Sequence, residues 1–281
     1  MTKITLWGTR GSMASPGADT ARYGGNTSCV GVQDNDGRLA ILDAGSGIRP
    51  LGRTIPADVG RVDVLLTHLH LDHILGMGFF APMLNPRAEV HIWGPASSTH
   101  SLERRLKRYL SPPYFPLFMN ELACKLTLHE VASEEFDLGS LHVMSEPICH
   151  PGLTLGYRLT TRSGKTIAYL PDHEPALGSV DFPARPEWTS GYGLAEGADV
   201  LIHDAQYSHT EYEDRVGWGH SAIEHTLAFA ESAGVKRLVT FHYDPAHDDA
   251  TIDQNLAPAL SRTDLPFILT PGAEGNIIEI A

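Results

Sequence analysis

Cysteine is scarce in this chain: Cys29, Cys124 and Cys149 are the only three in 281 residues, and they share no CxxC spacing. Neither a disulfide framework nor a thiolate zinc site is therefore suggested, and a reducing compartment fits. Basic residues are also few, with 21 Lys and Arg against 34 Asp and Glu and a formal net charge of -13. Such a surface opposes a nucleic-acid backbone unless charge is segregated, so long nucleic acids are not expected as partners. No uninterrupted apolar run approaches the roughly 20 residues of a membrane span, and the opening MTKITLWGTRGS has no apolar region of the signal-peptide kind. A cytoplasmic protein with no membrane partner is the expectation. Low-complexity tracts, fixed-period repeats and long Gly/Ser linkers are missing too, which makes one domain over residues 1–281 the economical reading.

What is present is a succession of short runs rich in Val, Ile, Leu and Thr. KITLWGT, TSCVGVQ, RLAILDAG, VDVLLTH, AEVHIWG, KLTLHEV, LHVMSEPI, TLGYRLTT, TIAYLPD, DVLIHDA, RLVTFHY, PFILT and NIIEI read as strands. Helical patterns lie between them in DHILGMGFFAPM, SLERRLKRYL, SAIEHTLAFAESAG and TIDQNLAPALS. In the third, Ile223, Leu227 and Ala230 share one face, Ser221 and Glu224 read as a capping box, and Gly234 supplies a stop. Strands that outnumber interspersed helices predict an α/β class with helices covering the outer sheet faces. Residues 97–125 look inserted: the basic LERRLKRY precedes LSPPYFPLF, a proline and aromatic loop suited to a lid or a dimer contact.

The densest chemistry is THLHLDHILG, Thr67 to Gly76, directly after an apolar run. His68 and His70, two apart at a strand end, point the same way, and a chain turning into a helix presents Asp72 and His73 toward a neighbouring point. Imidazole and carboxylate ligands suit zinc, manganese or ferrous iron, and one such segment can serve two ions. Further ligands stand where apolar runs end: His150 after MSEPIC, Asp172 after TIAYLP and His242 after RLVTF. Loops at strand ends gather on one rim of a sheet, where sites are commonly built.

THLHLDH followed in order by His150, Asp172 and His242 resembles the metallo-β-lactamase-fold hydrolases over nearly the whole chain. GTRGS (Gly8 to Ser12) and ILDAGSGI (Ile41 to Ile48) belong to the same pattern. The resemblance implies a four-layer αββα sandwich with a dinuclear metal site at one edge between the sheets. By it, His68, His70 and His150 bind one ion, Asp72, His73 and His242 the other, and Asp172 bridges, with two divalent ions, zinc first and manganese or iron as alternatives. Asp43 matches a position behind a ligand histidine, where a carboxylate fixes tautomer and orientation. A homodimer is a common state among such relatives.

LIHDAQYSHTEYEDRVGWGHSAIEH resembles the phosphodiesterase branch, which includes tRNA 3′-processing endonuclease and cyclic-nucleotide phosphodiesterases; there an acidic strand end is followed by a His-Ser dipeptide opening a helix. Asp204 and His220 hold those positions here. Two metals about 3.5–4 Å apart can hold a hydroxide between them, lower its pKa toward about 7 and polarise phosphoryl oxygens. His220, oriented by Asp204, then supplies the leaving-group proton as general acid, and Asp72 completes the expected catalytic group. The expected substrate is a small or cyclic phosphodiester. The alternatives are a lactone or thioester hydrolase on the same metals and, beyond enzymes, a metal-stabilised binding module. His173 is a candidate to face substrate or cap a turn, and Tyr114 and Phe115 to stack on a base, close the pocket or bury against the body or a dimer mate. The Gly-rich turns GTRGS and DAGSG are candidates to offer amides to phosphate.

Overall fold

The computed structural model describes residues 1–175, 177, 182 and 185–281. In one sheet lie β1 (Thr2–Gly8), β2 (Cys29–Gln33), β3 (Leu39–Leu42), β4 (Arg61–Leu65), β5 (Glu89–Pro95) and β6 (Lys125–Val131). In the other lie β7 (Glu134–Leu138), β8 (Leu141–Pro147), β9 (Leu155–Thr160), β10 (Thr166–Leu170), β11 (Val200–Asp204), β12 (Arg237–Phe241) and β13 (Ile268–Pro271). The closing strand β14 (Ile277–Ile280) returns to the first sheet beside β1. The orders are β14-β1-β2-β3-β4-β5-β6 and β13-β12-β11-β10-β9-β8-β7. Strands β3 to β6 and β10 to β13 run parallel, and the remaining pairs are antiparallel.

Alternation along the strands builds three apolar layers. Ile167 and Tyr169 of β10, Val200 and Ile202 of β11, and Val239 and Phe241 of β12 meet Ile4, Leu6, Leu42 and Leu65 between the sheets. Their neighbours Ala168, Leu170, Leu201 and Leu238 point outward, to the helices Ile223–Ser232 and Asp249–Leu260. On the opposite face Ile41, Val62, Val64 and Ile92 pack under Leu102 and Leu106 of the helix Leu102–Tyr109. Side chains that alternate between faces with period two require this two-sided cover. The result is the αββα sandwich that the sequence motifs implied.

Three local expectations need correction. The acidic EEFDL forms β7, which was not expected as a strand because only Phe136 and Leu138 give it an apolar side; it is the edge strand, where charge blunts further pairing. The pattern DHILGMGFFAPM makes one α turn, Leu71–Ile74, then 3-10 turns at Met77–Phe79 and Ala81–Leu84. Gly76 lies where a Cβ would stand 2.1 Å from the Gly45 carbonyl, so close approach, not helical register, decides the path there. The helix Ile223–Ser232 has Ala222 at its N-cap and no side-chain cap, so the Ser221 and Glu224 box is absent. Ser221 is held elsewhere: its N–H donates to Asp204 Oδ1 and its hydroxyl to the His173 carbonyl. The stop at Gly234, with φ of 63°, is as expected.

Candidate metal centre

The ends of β3, β4, β8, β10, β11 and β12 bring their polar residues to one edge of the sandwich. The loop after β4 is fixed from the other sheet: Leu155 N–H donates to Thr67 O at 2.9 Å and the buried Tyr157 hydroxyl to Leu66 O at 2.7 Å. From this anchored base His68 and His70 project together, with ring centroids 4.3 Å apart. His70 then stands at the N-cap of the short helix that carries Asp72 and His73.

Three groups of ligand atoms converge among the described residues; Asp204, His220 and His242 form one of them, and the other two share a residue. Of these two, one is His68, His70, His150 and Asp172; the other is Asp72, His73, His242 and Asp172. Asp172 belongs to both and splits its oxygens between them. Its Oδ2 lies 3.7 Å from Nε2 of both His68 and His150, while Oδ1 lies 3.0 Å from His73 Nε2 and 3.2 Å from His242 Nε2. Asp72 Oδ2 stands 3.3 Å from Nε2 of both His73 and His242. The nine residues expected in the site, these seven with Asp204 and His220, thus fall in one region.

On four of the five histidines in the two groups that share Asp172 the outer nitrogen has a partner that orients the ring. His73 Nδ1 meets Asp43 Oδ2 at 2.8 Å, His150 Nδ1 donates to Gly219 O at 2.8 Å, and His242 Nδ1 donates to Gln206 Oε1 at 2.9 Å. His68 Nδ1 lies 3.0 Å from the Thr67 hydroxyl. Such partners direct Nε2 lone pairs inward. His70 differs: it turns Nδ1 toward His150 Nε2, 3.2 Å away.

This arrangement fits cations. His68 Nε2 is buried without a hydrogen-bond partner, a costly state that a coordinated ion relieves. Burial pushes His68 well below the usual imidazole range, aided by His73, and lowers His150 to about 4 against the pull of Asp172. Neutral imidazole is the form that binds metal. At the second group, burial opposes charge on His73, yet Asp172, Asp43 and Asp72 together hold its pKa well above normal. Burial likewise resists ionisation of Asp172, but His242, His73 and His68 keep it well below the ordinary carboxylate range. The field that retains a proton on His73 favours any cation at that point.

Backbone strain marks the same place. Asp43 and His242 adopt φ of 61° and 62°, a region costly for residues other than glycine. Asp43 is fully buried and also accepts from Thr67 N–H at 2.8 Å and the Tyr169 hydroxyl at 3.0 Å. The ring of His242 lies over Gly11, where a Cβ would stand 2.4 Å from Nδ1. GTRGS therefore serves the site from behind: Ser12 N–H donates to Asp72 Oδ2 at 2.8 Å and Gly11 N–H to Tyr243 O. In DAGSG, Gly45 and Gly47 donate to Ser28 O and Thr27 O, so these amides do not offer themselves to phosphate.

Beside both groups stands His220. Its Nδ1 lies 2.7 Å from Asp204 Oδ2, and its ring centroid is 5.0 Å from those of His150 and His242. Burial works against a charged ring, but Asp204, with help from Asp172 and Asp72, raises the His220 pKa. Asp204 is itself fully buried and takes the N–H groups of Gln206 and Ser221, both at 3.0 Å.

The family model for the beta-lactamase superfamily domain matches residues 38–243. The chain belongs to the beta-lactamase superfamily. Ribonuclease Z of Brevibacillus brevis is 26% identical to this superfamily member, with 92% of each chain covered. Human tRNase Z, short form, shares the fold at a TM-score of 0.69 and 20% identity over 99% of both chains. A diphosphatase of the PhnP family does so at 0.68 and 21%, over 100% of this chain and 98% of its own. The chain is a metallo-β-lactamase-fold hydrolase.

Other residues fall outside the centre. His173 is fully buried, its Nδ1 2.9 Å from His203 Nε2 and its ring near Phe229, so it does not face a substrate. His91 and His129 pair with each other at 2.9 Å, and His142 is exposed beside Asp137. Phe115 is buried against Phe79 while Tyr114 is 79% exposed. Sequence reasoning missed Gln206 and Glu174. Both stand two residues after a site aspartate, a spacing that along an extended segment returns a side chain to the same side.

Proposed function

We propose that the enzyme hydrolyses a small or cyclic phosphodiester with two divalent ions, zinc first among the candidates. His68, His70 and His150 would hold one ion, Asp72, His73 and His242 the other, and Asp172 both. When bound, such ions supply an activated water and neutralise charge on the phosphoryl oxygens. The observation that carries the reading is the Asp204–His220 pair at 2.7 Å beside both ligand groups. An alkoxide leaving group needs a proton, and a carboxylate-backed imidazole offers one from its remaining nitrogen, Nε2. A thioester, which expels a weakly basic thiolate, would not put the same demand on an acid.

The size of the substrate follows from charge and shape. The chain carries a net -13. His70 is exposed where the other ligands are buried or nearly so, which marks the open side. Next to it, Leu69, Leu71, Ile74, Tyr109 and Tyr114 line a groove of about 610 Å³ with Arg105 and Arg108. A volume of that order holds a single organic group and its anion. We place the leaving group there, which gives the 97–125 segment a role in substrate selection.

Bis(p-nitrophenyl) phosphate tests this. Protein reconstituted with zinc or manganese should hydrolyse it, and metal-stripped protein should not. A lactone, a thioester and a 3′-extended tRNA belong in the same panel. Turnover of the carbonyl substrates alone would replace the reading, and preference for the tRNA would remove the limit on size.

A further inference from the structure

Glu174 has no part in either ligand group, yet it is 1% exposed and its carboxylate is fully engaged. Oε1 accepts the Tyr212 hydroxyl at 2.9 Å and Gly217 N–H at 2.8 Å; Oε2 accepts Gly219 N–H at 2.7 Å. Its own N–H donates to Cys149 O at 2.9 Å, so the turn after Asp172 is also tied to the loop that bears His150. Two of the three donors are alternate amides of one short segment, Gly217 to Gly219. That segment has an exposed side, where Trp218 is 61% accessible, and an inner side gripped by the carboxylate.

What the segment does explains why it must be held. The Gly219 carbonyl accepts from His150 Nδ1 at 2.8 Å, and the next residue is His220. Gly217 and Gly219 have φ of 86° and 88°, so the chain follows a left-handed path that other residues resist. A Cβ at Gly219 would stand 2.3 Å from His150 Nδ1 and 2.1 Å from Pro151 Cδ. Backbone and imidazole are in direct contact, and a small displacement of the segment moves both histidines.

We infer that Glu174 is a positioning residue: through the amides of Gly217 and Gly219 it sets the orientation of His150 and the placement of His220 together. It acts as a clamp with two outputs, one on metal binding and one on proton donation. Glutamine in its place keeps the size but turns an NH2 group toward amide donors, so one arm of the clamp is lost.

The second output rests on the phosphodiesterase reading; the first does not. Cobalt(II) titration of the metal-free protein, followed by its absorption spectrum against a competing chelator, measures each binding step without a substrate. Glu174→Gln should weaken one step about 10–100-fold, the range for partners that orient metal ligands, and leave the other unchanged. On phosphodiesters, the same variant should lose more rate with an alkyl than with a nitrophenyl leaving group. If Glu174→Gln does not fold, Glu174→Asp, which keeps the charge but withdraws it by one methylene, is read in the same two ways. A folded variant with both cobalt steps and the leaving-group ratio unchanged overturns the inference. Weakened cobalt binding in an enzyme that turns over no phosphodiester would uphold the clamp and sink the substrate reading alone.

Discussion

A histidine that turns one nitrogen to a metal is oriented by whatever accepts the proton on the other, and such partners organise the buried histidines of the centre. Asp43, Gln206 and the Gly219 carbonyl are those partners for His73, His242 and His150. Behind Asp204, His203 sits fully buried, its Nδ1 donating to the Asp204 carbonyl at 2.7 Å, and burial lowers its pKa to about 4. The unfolded chain protonates this ring near pH 6.5 while the folded one does not, so stability falls as pH drops from about 6.5 to about 4 and levels off below. That interval corresponds to roughly 3 kcal/mol at full weight. Urea unfolding at pH 7 and pH 5 should therefore show a smaller loss in His203→Gln than in the parent, and an equal loss would show that His203 does not govern this pH dependence.

At the level of elements, the metal loop depends on contacts from the opposite sheet. Tyr157→Phe leaves the buried Leu66 carbonyl without its donor and should cost about 1–3 kcal/mol in denaturant unfolding; a change near zero would mean another donor replaces it. The strands that end in ligands were legible because their apolar runs stop at a polar residue, as VDVLL does before THLHLDH. β7 was not, since EEFDL carries its charges on an edge where pattern yields to exposure. The cap of the helix Ile223–Ser232 misled for a physical reason: Ser221 looks like a capping serine, but Asp204 competes for its N–H and the His173 carbonyl for its hydroxyl. The histidines and aspartates that converge at the sandwich edge could be read from spacing and resemblance. Glu174 and Gln206 could not, because their role depends on which loops meet across the sandwich edge.

For the molecule as a whole, a net charge of -13 and a centre with buried Asp43, Asp72, Asp172 and Asp204 favour the binding of cations. An ion that binds only the folded chain stabilises it by about 2.7 kcal/mol at a free concentration of about 100 times its Kd. Chelation of a two-ion centre should lower Tm by on the order of 10 °C. Scanning calorimetry before and after metal removal checks this, and an unchanged Tm would argue that the clusters stay empty. Among the described residues no helix is long and apolar enough to cross a membrane.

If His220 donates a proton to a phosphodiester's leaving group at a metal centre, His220→Ala must show a leaving-group dependence. Metal content and rate are measured together, with an alkyl and a p-nitrophenyl phosphodiester as substrates. The expected result is unchanged metal content, a loss on the alkyl ester of about 10²–10⁴-fold and a much smaller loss on the nitrophenyl ester, whose leaving group needs no proton. An equal loss on both substrates, with the metals retained, would contradict it.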